Sequence, residues 1–280
     1  MRLSLHYSPC PNDTHIFHAL AAGQVRVPGV EFDIALADVE QLNRTAQEGG
    51  ADICKVSVAA AASVLGQYRV LRAGGALGRG VGPILVGAPG LKFGDLHGRR
   101  VAIPGRRTTA ALLFGMLCKA KGVEPEVVEL VYDQVMPAVQ AGDCAAGVVI
   151  HEGRFTFAQY GLARLLDLGA WWEEDCGLPI PLGCIVMRRS LGLELARAVN
   201  LGIRLSLEYA RSHPEAAREY IRQHAQEMDP QVIASHIETF VTDYSLDVGQ
   251  EGAGALTALM QQAAAQSGAG ALPADAILTL

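Results

Sequence analysis

Short β-rich runs alternate with helix-length runs along the first half of this chain, and few architectures accommodate that order. Leu3 to Tyr7, Glu31 to Ala35 and Ala51 to Val56 read as strands, separated by a helix running to about Gly23 and another around Val39 to Glu48. Strand, helix and strand in succession build a sheet covered by helices, the α/β class. After a glycine-rich stretch, Leu71 to Gly82, and a strand-like run at Pro83 to Gly87, the pattern restarts. Val101 to Ile103, Val127 to Leu130 and Ala145 to Ile150 are strand-like, with helices over Thr108 to Lys121 and Val135 to Ala141 between them. At Cys184 to Met187 the chain returns, and Leu193 to Tyr209, Pro214 to Gln223, Pro230 to Phe240 and Gly252 to Gln266 then carry apolar residues at helical spacing. The expectation is two interleaved lobes: a larger, discontinuous α/β lobe from 1–86 and 188–280, and a smaller α/β lobe over 87–187. Two crossings, near Val86 and Met187, would set a ligand cleft between them.

A chain of 280 residues that is 50% hydrophobic can bury a substantial core. Its net charge is −6, and its basic residues are scattered among acids instead of forming a stripe, which argues against a nucleic-acid partner and for a small-molecule ligand. No run approaches the roughly 18 apolar residues of a spanning helix, and the first apolar run stops too soon for a secretory signal, so the expected location is the cytoplasm, with no membrane role. Six cysteines without a C-x-x-C spacing read as reduced, mostly buried thiols.

Several junctions join an apolar run to small or polar residues, the place where α/β sheets bind ligands. In SPCPNDTHIFHAL (Ser8 to Leu20), Asn12 or Asp13 is placed to cap the helix carrying Ile16, Phe17 and Leu20. His151 follows the strand-like run Ala145 to Ile150, and its imidazole suits proton abstraction near neutral pH; the plainer alternative is a loop histidine without a role. Thr108 or Thr109 stands at a helix start behind Gly105, Arg106 and Arg107, where hydroxyls and the positive helix end favour an anion; plain N-capping is compatible with that role. Arg106 and Arg107 read as solvated surface arginines before they read as a carboxylate clamp. Lys55, one of four lysines, lies in an apolar run before Val56 and Ser57, either to pair with a substrate carboxylate or as a structural lysine. Gly74, Gly75, Gly78, Gly80 and Gly82 permit close backbone approach, but their spacing is not G-x-G-x-x-G, and with no G-K-[ST] a nucleotide cofactor has no support. His15 and His18 near Cys10 suggest a metal only weakly, and neither H-E-x-x-H nor G-x-S-x-G occurs.

Taken in order, SPCPNDTHIFHAL, DICKVS (Asp52 to Ser57), GGALGRGVGP (Gly74 to Pro83), PGRRTTA (Pro104 to Ala110) and VIHEGRFTF (Val149 to Phe157) resemble the 1,4-dihydroxy-6-naphthoate synthases of the futalosine route to menaquinone. GLPIPLG (Gly177 to Gly183) is a further similar segment, whereas the helical carboxyl third is generic. The resemblance implies a two-lobed fold like type 2 periplasmic solute-binding proteins with a ligand cleft between lobes, a cytoplasmic setting, and no metal or organic cofactor. It also implies a lyase that converts cyclic dehypoxanthine futalosine, a small-molecule carboxylate, into 1,4-dihydroxy-6-naphthoate with release of dihydroxyacetone. His151 matches the family's proton acceptor; Lys55, Val56 and Ser57, with Thr108 and Thr109, match its substrate-binding segments. His15 departs from the pattern, where an aromatic residue is expected, as does Cys54. Two other readings stand beside this one: chorismate dehydration by a relative of the same fold, and a non-catalytic small-molecule-binding protein.

Overall fold

The computed structural model describes residues 1–225, 229–268 and 270–279. The expected larger lobe takes in 226–228, 269 and 280, which lie outside the described residues. The chain divides into two compact units, Met1–Gly78 with Pro181–Leu280 and Arg79–Ile180.

The first unit opens with β1 (Arg2–Tyr7), α1 (Pro11–Ala21), β2 (Glu31–Leu36), α2 (Val39–Gln47), β3 (Ile53–Ser57), α3 (Val58–Val64), β4 (Tyr68–Val70) and β5 (Ala76–Gly78). The second contains β6 (Ile84–Gly87), β7 (Arg100–Ile103), α4 (Thr109–Lys121), β8 (Glu126–Glu129), α5 (Tyr132–Gln140), β9 (Ala146–Val149), a single turn α6 (Gly153–Thr156), β10 (Ala163–Asp167) and α7 (Leu168–Cys176). The chain then forms β11 (Ile180–Arg188), α8 (Leu193–Ser212), α9 (Pro214–His224), α10 (Pro230–Phe240) and α11 (Gly249–Ser267).

In the first unit the sheet runs β2-β1-β3-β11-β4, with β5 also paired to β11. β1 is parallel to β2 and β3, whereas β11 runs antiparallel to β3 and β4. All five residues of β3 are buried, as befits a central strand with both faces covered, whereas the edge strand β2 alternates exposed and half-buried residues. Leu3, Leu5 and Tyr7 of β1 and Ile16, Phe17 and Leu20 of α1 share one core with Val199, Ile203 and Leu207, the helical stripe of α8. The Tyr7 and Phe17 rings stack with centroids 4.6 Å apart.

The second unit's sheet runs β10-β6-β9-β7-β8, with β7 parallel to β8 and β9 and β6 antiparallel to β9 and β10. The boundaries lie earlier in the chain than the expected crossings near Val86 and Met187. Ile84–Gly87 makes its ladder with β9 and β10, and the run expected at Cys184 to Met187 is part of a nine-residue strand paired to β3 and β4. Six of these elements go beyond the sequence reading: the helix α3, the three-residue strands β4 and β5, the single turn α6, and the pair β10 and α7. Among the described residues, no helix is long and apolar enough to cross a membrane.

One local expectation is corrected. α1 is N-capped by Cys10 with no side-chain cap, and Pro11 opens its first turn, where a missing N–H and a fixed φ fit the helix start. Asn12 and Asp13 therefore lie inside the helix, and their side chains serve other partners.

Candidate active site

Parallel strands end on the same edge of a sheet, so in the first unit the turn after β1 and the end of β3 are brought together. There Lys55 donates from Nζ to Asp13 Oδ1 at 2.5 Å and to the Gly74 carbonyl at 3.1 Å, with only 6% of its side chain exposed. Asp13 Oδ1 also accepts from Asn12 Nδ2 at 2.9 Å, while Oδ2 takes the Ser8 hydroxyl at 2.7 Å and the Ser8 N–H at 3.2 Å. Both carboxylate oxygens are thus filled by four donors, as a buried charge requires. Asn12 Oδ1 lies 3.0 Å from Nε2 of the buried His236 on α10, which ties the turn to the helical carboxyl third. Two of the three Lys55 ammonium protons are committed in this network, and its charge is already matched.

Val56 is wholly buried, main chain included, and pairs with Cys184 in the β3–β11 ladder. Ser57 is held on both sides by Asn43 of α2: its N–H donates to Asn43 Oδ1 at 2.8 Å and its Oγ accepts from Asn43 Nδ2 at 3.1 Å. With one hydroxyl lone pair taken by Asn43, its proton is directed elsewhere. Above the turn, Tyr7 and Tyr220 share a hydrogen bond of 2.6 Å, and burial raises both phenols above their ordinary range. Burial also lowers the His15 imidazole to about 4, with His18 and then Arg211 adding to the effect. His18 is lowered by burial too; its Nδ1 lies 3.2 Å from the His15 carbonyl, while its buried Nε2 has no hydrogen-bond partner. Among the described residues, no three His, Cys, Asp or Glu side chains converge as a metal site.

In the second unit the adjacent parallel strands β7 and β9 likewise finish on one edge. Beyond β7, Thr108 is the N-cap of α4: its Oγ1 accepts from Ala111 N at 3.1 Å and donates to the Gly105 carbonyl at 2.8 Å. Thr109 is the first helical residue, and both threonines are buried. The thirteen-residue helix directs its positive end at this edge. Arg106 is exposed and reaches Glu129 at 3.4 Å, as a surface arginine does.

Beyond β9 comes His151, which among the described residues is the one non-glycine with positive φ, at 54°. Such a backbone is uncommon outside glycine and clusters at functional positions when the surroundings enforce it. The enforcing contacts are local. The His151 ring meets Tyr132 edge to face at 5.0 Å, and Arg154 N–H closes the turn on the His151 carbonyl at 3.3 Å. Gly153 is obligatory here, since a Cβ on it would stand 2.3 Å from Val149 Cγ1.

A family model described as menaquinone biosynthesis matches residues 3–265. The chain belongs to that family. Within the family it is 50% identical over 264 residues to the 1,4-dihydroxy-6-naphthoate synthase of Thermus thermophilus, covering 94% of each chain. It is 44% identical over 278 residues to the synthase of the same name from Streptomyces coelicolor, covering 98% of this chain and 97% of that one. A solved structure from Archaeoglobus fulgidus superposes with a TM-score of 0.86 at 32% identity, over 95% of this chain and 98% of the other. The periplasmic aliphatic sulphonate binding protein of Escherichia coli shares the fold, with a TM-score of 0.67 at 15% identity, over 95% of this chain and 86% of its own. The expected fold class, mixed α/β of the periplasmic-binding-protein type, is therefore the one observed.

For this family member the residues singled out in sequence fall into two groups. Lys55, Val56 and Ser57 share one strand end, and Thr108, Thr109 and His151 stand on the edge of a second sheet. Sequence reading did not single out Asn43, Tyr132, Arg154, Asp167 or His236. HEGRF did carry Arg154 within a quoted motif, but its partners lie many residues away.

Proposed function

We propose that the chain is a carbon-carbon lyase making 1,4-dihydroxy-6-naphthoate from cyclic dehypoxanthine futalosine, with release of dihydroxyacetone, in the cytoplasm. What supports the activity is the near full-length relationship to two synthases of that name. His151 is the general base. The observation that carries this role is its placement: an imidazole at the carboxyl end of β9, held in a left-handed turn, on the sheet edge that also carries the Thr108 cap.

The chemistry asks little else of the protein. The imidazole takes a proton beside a carbonyl, and carbon-carbon cleavage follows: a hydroxyl on the departing three-carbon piece gives up its proton and becomes the carbonyl of dihydroxyacetone, while the electron pair of the broken bond stays with the ring system. Formation of the aromatic ring drives the step. Within the second unit the amino end of α4 offers N–H donors to a carboxylate, and within the first unit the Lys55–Val56–Ser57 strand end offers the Ser57 hydroxyl and the remaining Lys55 proton.

The test is incubation of chelator-treated protein with cyclic dehypoxanthine futalosine, following the product by chromatography and mass, with chorismate in parallel. The naphthoate should form from the first compound only. His151→Ala should lower kcat by roughly 10² to 10⁴-fold while the protein stays folded and binds. Binding without any turnover would favour a binding protein, and a dehydration product from chorismate would favour the related reaction.

A further inference from the structure

Two sequence motifs have no task in the chemistry above, the glycine-rich segment and the residues after His151, and inside the second unit they meet. Arg154 sends Nη1 to the Gly82 carbonyl and Nη2 to the Gly80 carbonyl at 2.7 Å and to Asp167 Oδ2 at 2.9 Å. Both charged side chains are about 85% buried, so the pair is shielded from solvent. Each acceptor is itself fixed. Asp167 Oδ1 caps α7 by accepting from Gly169 N at 3.0 Å and Ala170 N at 3.1 Å, and Gly80 N donates to Glu173 Oε1 at 2.7 Å. Gly82 lies so close to Gly169 that a Cβ on it would stand 2.2 Å from the Gly169 Cα. Gly82 thus serves backbone against backbone, and with Gly80 it anchors the guanidinium of a residue whose main-chain N–H donates to the His151 carbonyl.

We infer that Arg154 is a positioning residue for His151: its guanidinium clasps Gly80, Gly82 and Asp167, and through the His151–Arg154 turn this holds the imidazole in its left-handed backbone. The inference rests on the reading of His151 as the proton acceptor. A fork of fixed donors suits this work because three acceptors in different directions define one orientation, which a lysine's point charge does not. An imidazole released from the turn moves on the ångström scale, and misplacement by about 1 Å lowers a rate by up to about 10²-fold.

The experiment compares Arg154→Met, Arg154→Lys and Asp167→Asn with the wild type, reading kcat and KM separately and following the His151 ring by NMR titration of histidine-labelled protein. Asp167→Asn is the gentler variant, since its Oδ1 still caps α7 while the amide repels Arg154, and it carries the test if Arg154→Met does not fold. The expected result is a ten- to hundredfold fall in kcat with KM within about twofold, partial recovery in Arg154→Lys, and a His151 resonance displaced from its wild-type position. Wild-type kcat together with an unmoved His151 resonance in Asp167→Asn overturns the inference. Full activity in His151→Ala instead overturns the reading beneath it, so the two failures are distinct.

Discussion

Substitution of His15 by phenylalanine, the kind of residue the family pattern leads one to expect there, should make the protein markedly less sensitive to acid. His15 sits on α1 at 9% exposure, against an apolar groove lined by Ile221, Ile233 and Ile237. Burial, with His18 and Arg211 nearby, lowers its pKa to about 4, against 6.5 for the free side chain. The folded value lies below the unfolded one, so as pH falls the unfolded chain takes up its proton first. Stability from this residue is complete above pH 6.5, is lost between about 6.5 and 4, and is level below. The full loss is about 3 kcal/mol, and at pH 5 it has reached about 2 kcal/mol. Urea unfolding of wild type and His15→Phe near pH 7.5 and near pH 5, with equal m-values as a control, isolates the term because the remaining titrating groups are common to both. The wild type should lose about 2 kcal/mol more than the variant on acidification. Equal losses would show that His15 carries its charge in the folded protein as readily as in the unfolded chain, and would refute the argument.

Other expectations follow from buried contacts. Asp13→Asn strips the counter-charge from a buried ammonium and should destabilise by roughly 3–5 kcal/mol, whereas the Lys55→Met/Asp13→Leu double variant should recover most of that in the same denaturation assay. Equal stability of single and double variants would mean the two charges are not coupled. Gly82→Ala drives a methyl into the Gly169 backbone and should cost at least about 1–3 kcal/mol, read as a lowered Tm, because backbone cannot step aside as a flexible side chain does.

The parts of the fold that were legible in sequence are those where period and punctuation agree. β2 and α2 are set off by Pro28, Gly29 and the Asp38 cap, and their ends differ from the expected ones by a residue. β10 and α7 went unread because Asp167 ends the strand and caps the helix at once, leaving no loop to mark the change of period. β4 and β5, at three residues each, are too short to show alternation and owe their existence to β11. The same limit applies to the site. His151 and Thr108 are visible because local rules place them at a strand end and a helix start. The partners that hold the site are set by strand register and packing: Lys55 lies 42 residues from Asp13, Asn12 lies 224 from His236, and Arg154 lies 72 from Gly82. No local pattern encodes such distances, which is also why Lys55 gave no sign in sequence that its charge is matched within the protein.

The inserted position of the second unit has a consequence for synthesis. By the time Ile180 leaves the ribosome, the chain holds every strand of the second sheet, while the first sheet still lacks β11, which joins β3 to β4 and carries β5. Until that strand emerges, one edge of β3 in the nascent chain has no partner, and unpaired edges invite wrong pairing. The smaller unit is therefore able to mature vectorially on its own, whereas the larger one must wait for sequence made later, so chaperone dependence and translational pausing should bear on the residues just after Ile180.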